Sequence, residues 1–183
     1  MTTPRTHPPP AADEATILLA FLDHHRDTMR RQTESLTSPQ LAQRVSPSTL
    51  TLGSLLKHLA FVEGSWFRYI LAGADRSSRG PRSTGAPQPD CDLDSAASDS
   101  PEELRALFDA EVAAANAVVR DAMAGDGLDT LAVGERYGQR FSLGWIVLHL
   151  IEEHARHCGH ADLIRESVLQ TCDPARRPRS RTY

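Results

Sequence analysis

Hydrophobic residues recur at spacings of three and four along four long stretches of the chain, which is the pattern of amphipathic α-helices. The stretches between them are rich in Pro, Gly, Ser and Asp, and none alternates as a strand does. Helices that are apolar on one side hide that side by packing together. The pattern therefore predicts an all-α four-helix bundle over residues 13–172. We expect residues 1–12 and the basic tail 173–183 to be disordered.

The first two predicted helices are defined by their apolar stripes. The first covers residues 13–36, and the residues expected on its buried side are Leu18, Phe21, Leu22, His25, Met29 and Leu36. The second begins after the cap residue Thr51 and ends near Leu71. No apolar period is present over 73–99, so we expect a long crossover loop there.

The third and fourth helices have clear start signals. Ser100 and Glu103 form a capping box with a proline at the first helical position, which predicts the start of the third helix. Ser142 is the expected cap of the fourth helix, which extends to about Leu169. The stretch 131–141 between these helices fits a short hairpin.

Polar residues interrupt the apolar stripe of the fourth helix at its middle. The residues expected on its inward side are Leu143, Ile146, Leu150, Glu153, His157, His160 or Ala161, and Ile164. Glu153 and His157 are one turn apart and about 40° apart around the helix, so their side chains reach a common point. On the second helix, His58 lies between apolar positions and is also expected to face inward. An unpaired buried carboxylate costs several kcal/mol, so these groups need a partner.

A divalent cation would supply that partner. Two imidazoles and one carboxylate form a three-ligand site for zinc or for nickel, manganese or iron, with a position left open for chemistry. The predicted metal ligands are His58, Glu153 and His157. The plain structural alternative is that these side chains form a hydrogen-bonded core without metal, which is the commoner role of a single buried histidine.

Other polar and aromatic residues lie near this predicted site. His160 is expected to line the pocket or to act as a fourth ligand, whereas His154 is about 100° from Glu153 and is expected on the helix flank in a structural role. Glu63 and Trp66 lie beyond His58 and either cover the site or pack in the core. Cys158 points about 100° away from the metal direction, so we do not expect it to be a ligand.

Composition narrows the class of protein further. The chain has 183 residues, a net charge of −4 and few long apolar runs, which disfavours binding of nucleic acid or insertion into a membrane. Its N-terminus has no apolar signal core, and its three cysteines form no CxxC pair, so we expect a cytoplasmic protein with free thiols. HExxH, a pair of Glu-x-x-His motifs and Gly-rich phosphate loops are all absent from the sequence.

Two segments resemble the DinB-like superfamily of metal-binding four-helix bundles. They are SLTSPQLAQRVSPSTLTLGSLLKHLAFVEGSWF and FSLGWIVLHLIEEHARHCGHADLIRE, with the HxGHxD element and its upstream glutamate. They are most similar to the branch that contains mycothiol S-transferases and the N-terminal domain of maleylpyruvate isomerases. The resemblance implies a metal site at His58, Glu153 and His157, with Glu153 in the place of a histidine, and a low-molecular-weight thiol as cosubstrate.

The activity that this resemblance implies is a metal-dependent transfer of a thiol to a small electrophile. His160 and Arg156 are then candidates for substrate contacts, and Asp162 for orienting a ligand. The composition is rich in arginine, with Lys57 as the only lysine, which is typical of a GC-rich genome. This bias favours mycothiol over bacillithiol as the thiol. The alternatives are a non-catalytic metal-binding stress-response bundle and a maleylpyruvate-type isomerase, although we expect no counterpart of the extra C-terminal domain that those isomerases carry. Relatives also favour a homodimer.

Overall fold

The computed structural model describes residues 7–75 and 96–172. The predicted disorder of 173–183, the first six residues of the N-terminal segment and residues 76–95 of the crossover loop lie outside this range. The described residues form five α-helices: α1 (Glu14–Thr33), α2 (Ser38–Leu41), α3 (Leu52–Glu63), α4 (Pro101–Met123) and α5 (Leu143–Cys172). A π-helical segment, Gly64–Leu71, continues α3, and short 3₁₀ turns cover Ala96–Ser98 and Gly127–Asp129. The described residues contain no β-strand, which confirms the all-α class.

Side-chain caps set the starts of the long helices. Asp13 accepts a hydrogen bond from the Thr16 amide at 3.0 Å. The capping residues predicted from the sequence accept the same kind of bond. The hydroxyl oxygens of Thr51, Ser100 and Ser142 accept hydrogen bonds from the backbone amides of Ser54, Glu103 and Trp145, respectively. Each cap satisfies a backbone donor that the first turn leaves without a partner.

The helix ends differ from the predicted ones. α1 ends at Thr33 rather than near residue 36, because Ser35 takes a left-handed conformation with φ of 60° that an α-helix does not continue through. Leu36 is nevertheless buried, outside the helix. Phe21, expected on the buried stripe, is 43% exposed, and Arg26 is buried beside the half-buried His25. At its other end, α5 extends to Cys172, three residues beyond the expected Leu169.

The predicted hairpin over 131–141 is present as two isolated bridges, between Leu131 and Ser142 and between Arg136 and Gln139. Its tip residues Tyr137 and Gly138 both have positive φ, as a tight I′ turn requires.

The end of the crossover segment is anchored rather than free. Asp99 forms an ion pair with Lys57 of α3, and both side chains are buried. This pair fixes the start of α4 against α3.

The helices pack so that α5 lies between α1 and α3, and α4 covers the other side of α3 and its π-helical continuation. The core consists of two apolar clusters, one centred on Leu55, Leu59 and Phe108 and the other on Phe67, Leu143 and Leu150. A layer of buried polar side chains, Arg26, Glu63 and His154, crosses the bundle between these clusters, and we call it the polar layer. In the described part of the chain, no helix is both long enough and apolar enough to cross a bilayer.

Candidate metal centre

The structure brings His58, Glu153 and His157 together between α3 and α5. The carboxylate oxygen Oε2 of Glu153 lies 3.4 Å from Nε2 of His157 and 3.8 Å from Nε2 of His58. One donor atom from each residue lies within 4.8 Å of the others. The two imidazole rings meet edge to face, with centroids 4.9 Å apart.

The three side chains lie at the margin of the core rather than inside it. Their exposed fractions are 24% for His58, 21% for Glu153 and 15% for His157. The expectation that they point fully into the bundle is therefore corrected: all three are partly exposed along the line where α3 and its π-helical continuation face α5, and we call this line the groove. A groove of this kind gives a small molecule access to the donor atoms while the helices on either side limit their movement.

α5 is rotated about its axis relative to the predicted orientation, and this rotation explains the correction. Its fully buried positions are Leu143, Ile146, Val147, Leu150, His154, Cys158, Ala161, Ile164 and Val168. Through the middle of the helix, the buried line runs through His154 and Cys158, one residue further along than predicted. His154, expected on the flank, is thus in the core, and Glu153 is turned toward the groove.

The donor set fits a divalent metal ion. In a tetrahedral site with bonds of about 2.0–2.1 Å, neighbouring donor atoms lie about 3.3–3.4 Å apart. The Glu153–His157 separation of 3.4 Å matches this value, the Glu153–His58 separation is 3.8 Å, and all three donor atoms lie within 4.8 Å of one another. Two imidazole nitrogens and one carboxylate oxygen are ligands that zinc and neighbouring first-row metals share. The neighbouring imidazoles of His157 and His58 also hold the pKa of Glu153 well below its usual value. Its carboxylate is therefore ionised at neutral pH, as a ligand must be.

His160 lies behind His157. Its Nδ1 is 3.4 Å from Nδ1 of His157, whereas Nε2 of His157 faces Glu153 across the ring. His160 therefore contacts the side of the ring away from the three donor atoms. This is the position from which a neighbour orients a metal-binding imidazole.

The remaining candidates from the sequence have other partners. Arg156 pairs with Glu152 on the exposed side of α5. Asp162 accepts a hydrogen bond from Gln32 of α1. Cys158 is buried, and its Sγ lies 3.5 Å from the carbonyl oxygen of His25.

We call His58, Glu153 and His157 the donor group. A buried ion network that was not predicted from the sequence lies next to it. Nε and Nη2 of Arg26 donate to the two carboxylate oxygens of Glu63 at 2.7 and 2.6 Å, and Nε2 of His154 lies 2.8 Å from the same carboxylate. Burial opposes ionisation, but Arg26 and His154 lower the pKa of Glu63 to about 2. Burial lowers the pKa of His154, so its neutral ring donates through Nε2. Of the two roles expected for Glu63, packing in the core is the one observed, and its carboxylate is paired there with Arg26 and His154.

Helical spacing contained a signal for this network. Leu22, Arg26, Met29 and Thr33 follow one another at steps of four, three and four, and all four are buried. A buried stripe with one arginine as its only charged residue predicts a buried ion pair on that helix. The partner was harder to find, because Glu63 is 37 positions away along the chain.

Four rings line the groove beyond the donor group. Trp66 contacts Trp145, Phe141 and His149 with centroid separations of 5.3, 5.4 and 4.8 Å. Trp145 in turn lies 4.4 Å from Phe141 and stacks on His149 at 5.1 Å. We call these four residues the aromatic cluster.

The fold and the donor group define an all-α helical bundle with a His–Glu–His group suited to a metal ion. The family model for mycothiol-S-transferase matches residues 17–170. This range contains most of the chain, and the chain therefore belongs to the mycothiol S-transferase family, whose members are thiol-transferring enzymes. A search of curated proteins found no significant match.

Proposed function

We propose that this protein is a metal-dependent thiol S-transferase that joins mycothiol, or a closely similar thiol, to a small electrophile. The observation that carries the proposal is the convergence of two imidazole nitrogens and one carboxylate oxygen in a half-open groove. The family supports a thiol and an electrophile as substrates.

His58, Glu153 and His157 would hold the metal, and the groove would leave room for one further donor. A divalent cation bound there would lower the pKa of a coordinating thiol, so that the sulfur is nucleophilic at neutral pH. In the transfer, a sulfur–carbon bond forms while the bond from that carbon to its leaving group breaks. The leaving group takes the electron pair, and the thiol proton passes to water.

The protein's own residues orient the reactants. His160 would hold the ring of His157 in place through the Nδ1 contact, and Glu63 would keep α3 at a fixed distance from α5 through His154. Zinc is the favoured metal because of the ligand types, and nickel, manganese and iron suit the same three groups. We also propose a cytoplasmic location, which is where such thiols are abundant.

The direct test combines metal analysis with a conjugation assay. Wild type, Glu153→Gln and the control Glu152→Gln would each be purified, loaded with zinc and dialysed. We expect about one metal ion per chain and thiol conjugation in wild type and the control, with both lost in Glu153→Gln. Glu152 is a suitable control because it is the neighbouring carboxylate but faces solvent.

Two outcomes would contradict the proposal. Metal bound at one per chain without turnover of any thiol and electrophile would favour the non-catalytic metal-binding bundle. Absence of metal in all three variants would favour the structural alternative, in which Glu153 serves only as an ion-pair partner of its two histidines.

A further inference from the structure

We infer that the aromatic cluster is the binding site for the electrophile, and that it selects electrophiles carrying a planar aromatic ring. The inference deepens the proposed thiol transfer, on which it rests. It starts from where the cluster lies relative to the donor group.

The cluster occupies the same groove as the donor group. His149 and Trp145 precede Glu153 by four and eight residues on α5, which places them about 6 and 12 Å along the helix from it. Trp66 follows His58 by eight residues on the facing segment and contacts both. A ring attached directly, or through one or two atoms, to a carbon beside the donor group reaches His149, the nearer of the two, and extends toward Trp145.

The exposure of the cluster leaves a face for a ligand. Trp66 is buried at the base of the cluster, whereas Trp145 is 44% exposed and His149 is half-buried. A structural aromatic cluster buries its rings as far as possible, yet the outer tryptophan remains nearly half exposed. Stacked and edge-to-face arrangements at 4.5–7 Å are the geometry by which a further aromatic ring would add to it.

Charge supports a substituent on that ring that is anionic or carries electronegative atoms. The guanidinium of Arg136, at the start of the hairpin turn, lies 4.7 Å from the centroid of Trp66 and 5.2 Å from that of Tyr137. A nitro, carboxylate or halogen substituent on the ligand ring is attracted by this cation.

The two ends of the groove differ in polarity, which assigns the reactants. In the direction of His157 the groove leads away from the aromatic cluster, and the polar His160 stands behind that ring, so this end suits a hydroxyl-rich thiol. In the opposite direction it reaches the aromatic cluster. Because the reacting carbon and sulfur must meet beside the donor group, the thiol and the electrophile extend in opposite directions.

The chain offers a direct probe of this site. It contains two tryptophans, Trp66 and Trp145, and both belong to the cluster. Intrinsic fluorescence therefore reports on occupancy of the cluster alone. Finished conjugates bind without turnover, so the measurement is independent of whether transfer takes place.

The experiment compares two conjugates of N-acetylcysteine, S-benzyl and S-cyclohexylmethyl, which have the same ring size but differ in planarity. Their affinities for the zinc-loaded protein are measured by calorimetry, and tryptophan emission is recorded. We expect the benzyl conjugate to bind about fivefold more tightly and to change the emission. The preference is expected to disappear in Trp145→Ala and to remain in Trp145→Phe and in Leu148→Ala, a control for an exposed apolar residue on the same helix.

Equal affinities of the two conjugates for wild type would overturn the inference, as would a preference that survives in a folded Trp145→Ala. Should Trp145→Ala fail to fold, the tryptophan emission of wild type and of Trp145→Phe decides. Emission of wild type that is unchanged when the benzyl conjugate binds would place the ligand elsewhere. Selective binding of the benzyl conjugate by a protein that transfers no thiol would contradict the proposed function and leave this site standing.

Discussion

At the scale of single residues, His160 tests how the donor group is held in position. Its ring faces the Nδ1 side of His157, so it supports that imidazole without occupying the groove. We expect His160→Ala to weaken zinc binding by about 10–100-fold, because the ring of His157 loses its orienting partner. Competition with a chromophoric chelator measures this affinity.

The control for His160 is Leu163→Ala, an exposed apolar position one turn further along α5. Its zinc affinity is expected to equal that of wild type. A His160→Ala variant that binds zinc as tightly as wild type would show that His157 needs no such support.

Glu63 carries the pH dependence of stability at this scale. Its pKa is lowered from 4.5 to about 2 in the folded state, so its ion network stabilises the fold above pH 4.5 and this stabilisation is lost as the pH falls from 4.5 to 2. The shift corresponds to about 3 kcal/mol. We expect Glu63→Gln to be less stable than wild type by about 3–5 kcal/mol at pH 7, because Arg26 loses its partner in the core.

Urea unfolding of both proteins at a series of pH values measures this difference. The gap between wild type and Glu63→Gln is expected to narrow below pH 4.5, whereas Glu152→Gln follows wild type throughout. A gap that is constant from pH 7 to pH 3 would show that the charge of Glu63 is not what stabilises the fold.

Residue spacing predicted which side chains approach one another but not how deeply each is buried. His58, Glu153 and His157 come together because i and i+4 share a helix face and because His58 lies on a facing helix. The periodicity of α5 is ambiguous by one residue at its centre, where polar and apolar positions are mixed. Burial of His154 depends on Glu63 and Arg26, and partners this distant along the chain are not visible in local spacing.

At the scale of helices, starts were predicted better than ends. A start is encoded by one capping side chain and the third residue after it, as at Ser100 and Glu103. An end depends on backbone conformation and tertiary contacts, such as the positive φ of Ser35. The widening of α3 into a π-helical segment at Gly64 likewise has no local signal that the apolar pattern reveals.

The ion pair between Lys57 and Asp99 is a contact between helices whose contribution to stability can be measured. It joins α3 to the start of α4, and both side chains are buried. We expect Asp99→Asn to lower the free energy of unfolding by about 3 kcal/mol, since Lys57 stays buried without its counter-charge. The double variant Lys57→Met, Asp99→Asn is expected to lose less than this.

Denaturant unfolding measures both variants, with Glu102→Gln as an exposed control on the first turn of α4 that is expected to change stability by less than about 0.5 kcal/mol. Equal losses in the single and double variants would mean that the charge of Lys57 is not stabilised by Asp99.

At the scale of the whole molecule, the proposed metal site links two helices that the polar layer already connects. His58 lies on α3 and the other two donors on α5, so a bound ion binds the folded arrangement and not the separated helices. At a free zinc concentration 100 times the dissociation constant, binding adds about 2.7 kcal/mol to stability. For a chain of this length, the corresponding rise in the melting temperature is about 5–11 °C.

Glu153→Gln is expected to lose most of this zinc-dependent rise, whereas Glu152→Gln keeps it. Without metal, Glu152→Gln is expected to melt with wild type and Glu153→Gln slightly below it, because Glu153→Gln also loses the ion pairs of this partly exposed carboxylate with two imidazoles. Scanning calorimetry with zinc and with a chelator measures both quantities, and an equal zinc-dependent rise in Glu153→Gln would place the bound ion elsewhere on the molecule.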